Sequence, residues 1–232
     1  MSITYNEKAI PRASISMRSQ RFLKNVFDRC GAVVGLILTS PIFLVVSIAL
    51  KIRGEDVFFL QDRVGLNQNT FRIFKFTTMA RGSEKQGSIT TSDDSRITAL
   101  GSFLRRFKIN EMPQLINVLK GEMSFVGPRP LPKSELEEYY SSEDRATIYS
   151  VKPGITGRGS MEFSDEEECL SKADDFREYF AREIMPKKAK LEIWYVDNWS
   201  IILDLELFFG TIIKLSKTFA RYPIDRFVRR QR

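Results

Sequence analysis

The sequence predicts an α/β fold that is helix-rich and monotopic in a membrane, with one re-entrant membrane helix, a small β-hairpin and interfacial amphipathic helices. Four observations predict it. From Cys30 to Leu50 no residue is charged, a run of 21, and at ~1.5 Å per residue that is about 31 Å of helix, the depth of a bilayer core. Basic residues stand on both sides of the run. Further on, two β-prone stretches meet at a Gly/Asn turn, and near the end an apolar stretch with few charges runs into a basic tail.

Residues 1–20 are polar and aperiodic and are expected to form a mobile tail. Residues 21–53 follow as the membrane helix. Ser40 and Pro41 lie at the middle of its apolar run, where proline removes a backbone hydrogen bond and clashes with the preceding turn, so a bend is expected there. Arg21, Lys24 and Arg29 precede the run, and Lys51 and Arg53 follow it. Lysine and arginine favour the cytoplasmic side, so both ends are drawn to one face. A helix bent at Ser40-Pro41 that enters one leaflet and returns satisfies both observations, with a plain span as the alternative. The run is too long for a cleaved signal peptide, and no small-residue cleavage site follows it.

Residues 54–200 are expected to form a cytosolic catalytic domain at the membrane interface. Val57 to Phe76 reads as a hairpin, two partly alternating runs around a Gly/Asn-rich turn. Residues 82–95 are rich in Gly, Ser, Thr and Asp and read as a loop. A helix is expected from Asn110, a favoured N-cap, through the apolar face of Leu115, Ile116, Val118 and Leu119 to a stop at Gly121. Pro128, Pro130 and Pro132 force extended or turned backbone. Acidic helices are expected over 133–142 and 165–191, with a three-glycine loop, Val151 to Ser160, between them. Residues 201–232 read as an amphipathic helix and a basic tail, the helix either interfacial or buried in the core.

With 232 residues and 43% hydrophobic content the chain can bury a core. Its formal charge of +7 is uneven. Residues 1–30 carry six Lys/Arg against two acids, residues 211–232 carry seven against one, and the stretch between has 23 bases and 26 acids. Basic ends beside apolar segments fit anionic membrane lipid and argue against nucleic acid as a partner. Cys30 and Cys169 lie far apart without ligand-pair spacing, which argues against a disulfide framework or a zinc site. There is no histidine, so any catalysis runs on carboxylates, amines, guanidinium groups or hydroxyls.

Chemistry concentrates at Asn110 and Glu111. A helix start offers unpaired N–H groups and partial positive charge, which favour phosphate and keep a carboxylate ionised. Glu111 there could hold Mg2+, which takes one or two protein carboxylates and fills its other positions with phosphate and water. Asn and Glu are also favoured at a helix start for purely structural reasons. Lys75, Arg96, Arg105, Arg106 and Arg129 supply cations for a diphosphate. Arg129 stands out because Gly127, Pro128 and Pro130 leave its backbone few conformations.

Over roughly residues 22–215 the chain resembles the bacterial sugar transferase family, the monotopic phosphoglycosyl transferases that initiate capsule, O-antigen, exopolysaccharide or glycoprotein glycans. The likeness is carried, in order, by KNVFD, the Ser40-Pro41 break, FFLQDRVG, FKFTTM, DDSRIT, NEMPQLINVLKGEMSFVGPRP, KPGITG and YVDNWSIILDL. It implies transfer of a sugar 1-phosphate from a UDP-sugar to polyprenol (undecaprenyl) phosphate, with release of UMP, at the cytoplasmic face of the bacterial inner membrane. It further implies a catalytic Asp-Glu pair at 110 and 111, the Asp forming a covalent phosphosugar intermediate and the Glu binding magnesium. Lys75, Arg96, Arg105 and Arg129 are expected on the substrate phosphates and Pro153 and Gly154 in a substrate loop; a homodimer is allowed for. The chain departs from the pattern at two positions. Asn110 stands in the nucleophile's place, so the form as written is expected to be inactive or an inactivated variant, or a pseudoenzyme that binds without turnover. Thr77 stands where the family commonly has Arg, and the acidic stretch around 165–185 resembles only some members. The chain is expected to be the short form, without an N-terminal membrane bundle.

Overall fold

The computed structural model describes residues 17–83, 89–91 and 94–221. Most of the expected tail at 1–20, the basic tail after 221 and parts of the 82–95 loop lie outside the described residues. The first element, α1 (Met17–Ile52), is long and apolar enough to cross a membrane by length and composition. It runs unbroken through Pro41. The Ile37 carbonyl, which loses its partner because Pro41 has no N–H, accepts the Ser40 hydroxyl at 2.8 Å instead. One side of α1 packs on the body: Phe125 and Leu115 lie so close that a Cβ at Gly31 or Gly35 would sit 2.7 or 3.2 Å from them, and Phe43 rests edge-on against Phe76. The other side leaves Val33, Val34, Ile37, Leu38, Leu44, Val45 and Ile48 exposed.

The hairpin forms as expected. Strands β1 (Phe58–Val64) and β2 (Thr70–Phe76) pair antiparallel with Phe58 opposite Phe76, and Asn67 in the turn has the positive φ that asparagine tolerates. Asn117 ties β2 to the neighbouring helix. Its Oδ1 accepts the Phe74 N–H at 3.0 Å and its Nδ2 donates to the Arg72 carbonyl at 2.7 Å.

The remaining elements are helices and one short strand pair. They are α2 (Ala99–Arg106), α3 (Gln114–Lys120), β3 (Ser124–Val126), α4 (Lys133–Tyr139), α5 (Ser142–Ile148), β4 (Gly154–Thr156), α6 (Arg158–Glu162), α7 (Glu166–Ser171), α8 (Phe176–Tyr179), α9 (Met185–Asp197) and α10 (Ile201–Arg221). Strands β3 and β4 pair in parallel, Ser124 against Gly154 and Val126 against Thr156, so that β4 forms inside what reads from sequence as a glycine loop. The expected 165–191 helix is broken: Asp175 caps α8 afresh, and a π-turn, Phe180–Ile184, precedes α9. The 110–121 helix is also corrected. Lys108 takes a left-handed conformation with φ 56°, a 3-10 turn spans Ile109–Glu111, and α3 starts only at Gln114. Pro113 has no N–H to give Ile109, whose carbonyl is met by Met112 at 3.1 Å, so the chain tightens into i−3 bonds. Asn110 is therefore no N-cap.

Helix α10 is amphipathic and partly buried. Leu203 and Leu207 are in the core, whereas Ile202, Leu205, Phe209, Ile212 and Ile213 are exposed. Its buried Asp204 accepts from Lys24 of α1 at 2.5 Å, Tyr195 at 2.7 Å and Trp199 at 3.1 Å. That cluster fastens α1 and α10 to the body beside β3.

Candidate active site

Three of the expected residues meet at one carboxylate. The tight turn presents Glu111, β2 presents Lys75 from the strand that Asn117 holds, and the loop after β3 presents Arg129. Glu111 Oε1 lies 3.0 Å from Arg129 Nη2 and 3.7 Å from Lys75 Nζ. Burial alone would push the Glu111 carboxyl up, yet Arg129, Lys75 and Lys108, with the Arg129 hydrogen bond, hold it far below the usual carboxylate range. Glu111 holds the Arg129 guanidinium protonated well above its ordinary range. Burial drives the Lys75 ammonium down to about 7, against Glu111 and with Arg63, Arg129 and Arg105 adding repulsion. Arg129, bonded directly, is the carboxylate's firm partner, and Lys75 is the surplus cation. What keeps Glu111 ionised is thus these cations and not an α-helix start.

Asn110, beside Glu111, is 7% exposed, and its Oδ1 is buried with no hydrogen-bond partner. A buried amide oxygen without a donor is costly, on the order of 1–3 kcal/mol.

The loop at 127–130 is held from several sides. Tyr149 donates to the Arg129 carbonyl at 3.0 Å, Arg63 donates to the Pro130 carbonyl at 3.2 Å, and the Arg129 N–H donates to Glu192 of α9 at 3.3 Å. Gly127 and Gly154 donate to the Thr156 and Pro128 carbonyls, both at 2.9 Å. Those backbones are so close that a Cβ on Gly154 would fall 2.1 Å from the Gly127 nitrogen, and one on Gly157 2.2 Å from the Gly127 oxygen. Pro153 accepts the Ser124 N–H through its carbonyl at 2.9 Å. Pro153 and Gly154, expected in a substrate loop, stand in this joint under Arg129.

The other expected cations are engaged elsewhere. Arg105 pairs with Glu167 of α7. Arg96 chelates Asp94 through Nε and Nη2, at 2.9 and 2.6 Å, and also reaches the Ser83 and Ile89 carbonyls. It is a loop staple. Sequence reasoning missed Arg63, Tyr149, Lys188 and Glu192. The last two had a signal: Met185, Lys188, Ala189, Glu192 and Tyr195 share the buried face of α9, and charges on an otherwise apolar face mark a site. Arg63 lies within the FFLQDRVG motif, but nothing there pairs it with Pro130, and for Tyr149 no local pattern exists.

As a surface for chemistry, the cluster offers cations for a diphosphate around an ionised carboxylate and a free amide oxygen. No group of three or more Asp, Glu, Cys or His that could hold a metal occurs among the described residues. Glu111 and the Asn110 oxygen do fit a magnesium ion that takes only one or two protein oxygens and leaves the rest to phosphate and water.

The family described as bacterial sugar transferase matches residues 19–218. The uncharacterized sugar transferase EpsL of Bacillus subtilis (strain 168) is 40% identical over 195 residues, 83% of this chain and 87% of that protein. The UDP-N-acetylgalactosamine-undecaprenyl-phosphate N-acetylgalactosaminephosphotransferase of Aeromonas hydrophila is 34% identical over 82% of this chain and 43% of its own length. The UDP-glucose:undecaprenyl-phosphate glucose-1-phosphate transferase of Escherichia coli (strain K12) is 33% identical over 84% of this chain and 40% of its own. This chain spans less than half of those two longer relatives.

Proposed function

Because the chain belongs to the bacterial sugar transferase family, an enzyme family of sugar phosphotransferases, we propose that it is built to move a sugar 1-phosphate from a UDP-sugar to polyprenol phosphate. The observation that carries the reading is the Glu111 carboxylate shared by Arg129 and Lys75 beside the partnerless Asn110 oxygen. Two cations and one carboxylate leave net positive charge for a diphosphate. Relatives from Aeromonas hydrophila and Escherichia coli are named for this transfer to undecaprenyl phosphate.

With Asp at position 110, its carboxylate oxygen attacks the phosphorus that bears the sugar. An O–P bond forms, the phosphoanhydride P–O bond breaks, and UMP leaves with the electron pair. The polyprenol phosphate oxygen then attacks the same phosphorus and frees the aspartate, giving the sugar diphosphate lipid. Arg129 and Lys75 hold the diphosphate oxygens and offset the charge that gathers on the leaving phosphate. Glu111 would hold magnesium, which supplies further neutralisation of that charge when bound. The Asn110 amide is too poor a nucleophile for the first step. The chain as written is therefore inactive, and a pseudoenzyme that binds nucleotide sugar without turnover is the second reading, favoured by Asn110 itself.

The apolar exposed sides of α1 and α10 belong in this reading to the membrane, α1 entering one leaflet from the cytoplasmic face and α10 lying at the headgroups. That places a lipid-borne phosphate and a cytosolic nucleotide within reach of one site. A second copy as partner would show in the mass of the detergent-solubilised protein.

The test is Asn110→Asp with a panel of UDP-sugars and undecaprenyl phosphate. UMP release is expected from the Asp form and not from the Asn form. Silence of the Asp form with every donor sinks the transferase reading, and turnover by a pure Asn110 form sinks the pseudoenzyme.

A further inference from the structure

Glu192 is a second carboxylate at the site, and the proposed transfer has no use for it. It is 3% exposed and faces the loop that carries Arg129. Its Oε1 accepts the Arg129 backbone N–H at 3.3 Å, and its Oε2 is buried with no hydrogen-bond partner. The close approach depends on glycine: a Cβ on Gly159 would lie 2.6 Å from Oε1, and one on Gly157 3.8 Å from Oε2. Few charges surround it. The loop brings Arg129; α9 itself brings Lys188, already engaged by Glu166 of α7, and Tyr195. Tyr140 and Tyr149 face it from either end of α5. Arg158 of α6 is turned onto the Trp194 ring, 5.4 Å from its centroid. Burial dominates and pushes the Glu192 carboxyl up to about 7, against the Arg129 N–H and the charges of Lys188 and Arg129.

We propose that Glu192 is a positioning residue that fixes the backbone of Arg129 and couples the binding of a nucleotide diphosphate sugar at Arg129 to the uptake of a proton. This rests on the reading of Arg129 as a diphosphate ligand. The carboxyl accepts the Arg129 N–H in either protonation state, so the loop keeps its anchor. A diphosphate on the guanidinium adds negative charge next to a group that is partly ionised near neutrality. Buried like charges favour the neutral form, so Glu192 takes a proton as the ligand binds. By linkage, raising pH through the same range weakens binding.

The test is calorimetric titration of the full, detergent-solubilised chain with UDP-glucose or UDP-N-acetylgalactosamine and magnesium. It is run at neutral pH in two buffers of different ionisation heat; the diphosphate of these probes has no group that titrates there. Wild type is expected to take up a fraction of a proton per site. Glu192→Gln keeps the acceptor for the Arg129 N–H, so it is expected to bind within about threefold of wild type with the uptake reduced. Glu192→Leu removes the anchor and is expected to weaken binding about tenfold. Undiminished proton uptake in Glu192→Gln overturns the coupling, and a folded Glu192→Leu that binds like wild type overturns the positioning; if that variant fails to fold, Glu192→Gln decides. A wild type that binds neither probe ends the diphosphate reading and this role together, whereas binding with undiminished uptake in Glu192→Gln ends only this one.

Discussion

Arg96 and Arg129 are both loop arginines facing a carboxylate, and they come to opposite ends. Arg96 meets Asp94 through two donors and two backbone carbonyls besides, and its side chain is 11% exposed. Arg129 has one 3.0 Å bond to Glu111 and remains 36% exposed. The first guanidinium has spent its fork on the fold, while the second keeps donors for a ligand. The contrast lies in what anchors each backbone: Arg96 is held through its own side chain, whereas the Arg129 backbone is held by other groups. At Arg129 that anchor is Tyr149, Glu192 and the glycine joint.

The carboxylates of the two loops part most visibly with pH. The Glu192 carboxyl is raised from 4.5 to about 7, so its contribution to stability is fully present below 4.5 and is lost as pH rises through about 7. The loss is on the order of 3 kcal/mol. Glu192→Gln should abolish that part of the decline, read from thermal melts across the range. The Arg96 loop behaves oppositely: its hydrogen bond with Arg96 lowers the Asp94 carboxyl, and that pair weakens only in acid. Equal pH slopes for wild type and Glu192→Gln would remove the distinction between the two anchors.

Next in size is the direct exchange. Arg129→Met should weaken UDP-sugar binding about thirtyfold, the scale of a charged hydrogen bond with its partner left buried. Arg96→Met should lower the melting temperature and leave affinity within about twofold. Equal losses of affinity in the two variants would mean that both arginines serve the fold or both serve the ligand.

Arg129 was marked in the sequence by Gly127, Pro128 and Pro130, but that Arg96 is a staple was not legible, because it depends on Asp94 and on two carbonyls, 7 and 13 residues back, that no pattern pairs with Arg96. The hairpin and the amphipathic α10 were legible because each is a periodicity, and α1 because 21 residues in a row carry no charge. The meeting of Lys75, Glu111 and Arg129 was legible only as a set of candidates. Its geometry comes from contacts such as Asn117 with β2, 43 and 45 residues apart in sequence. The 3-10 turn at 109–111 was misread because Asn110 and Pro113 look like a helix start, while the left-handed Lys108 that decides the local path leaves no mark in composition. The β3–β4 pair escaped because three residues are too few to show alternation.

Arg105 stands between the two cases and sets the smallest expected effect. Its guanidinium is mostly buried and is held by Glu167, a carboxylate 40% exposed on the acidic α7, whose neighbour Glu166 holds Lys188. Glu166 and Glu167 both act on the charge of Arg129, so α7 sets its acids toward the same cations that a diphosphate would use. An exposed carboxylate on such a pair is screened by water and contributes at most about 1 kcal/mol. A ligand phosphate can therefore displace Glu167 at small cost, which it cannot do at Asp94. Glu167→Gln should tighten UDP-sugar binding about two- to threefold and steepen its salt dependence, since the site then carries one negative charge fewer and draws the diphosphate more strongly. Tighter binding places Arg105 with Arg129, and weaker binding would place it with Arg96, as an arginine whose carboxylate builds the site.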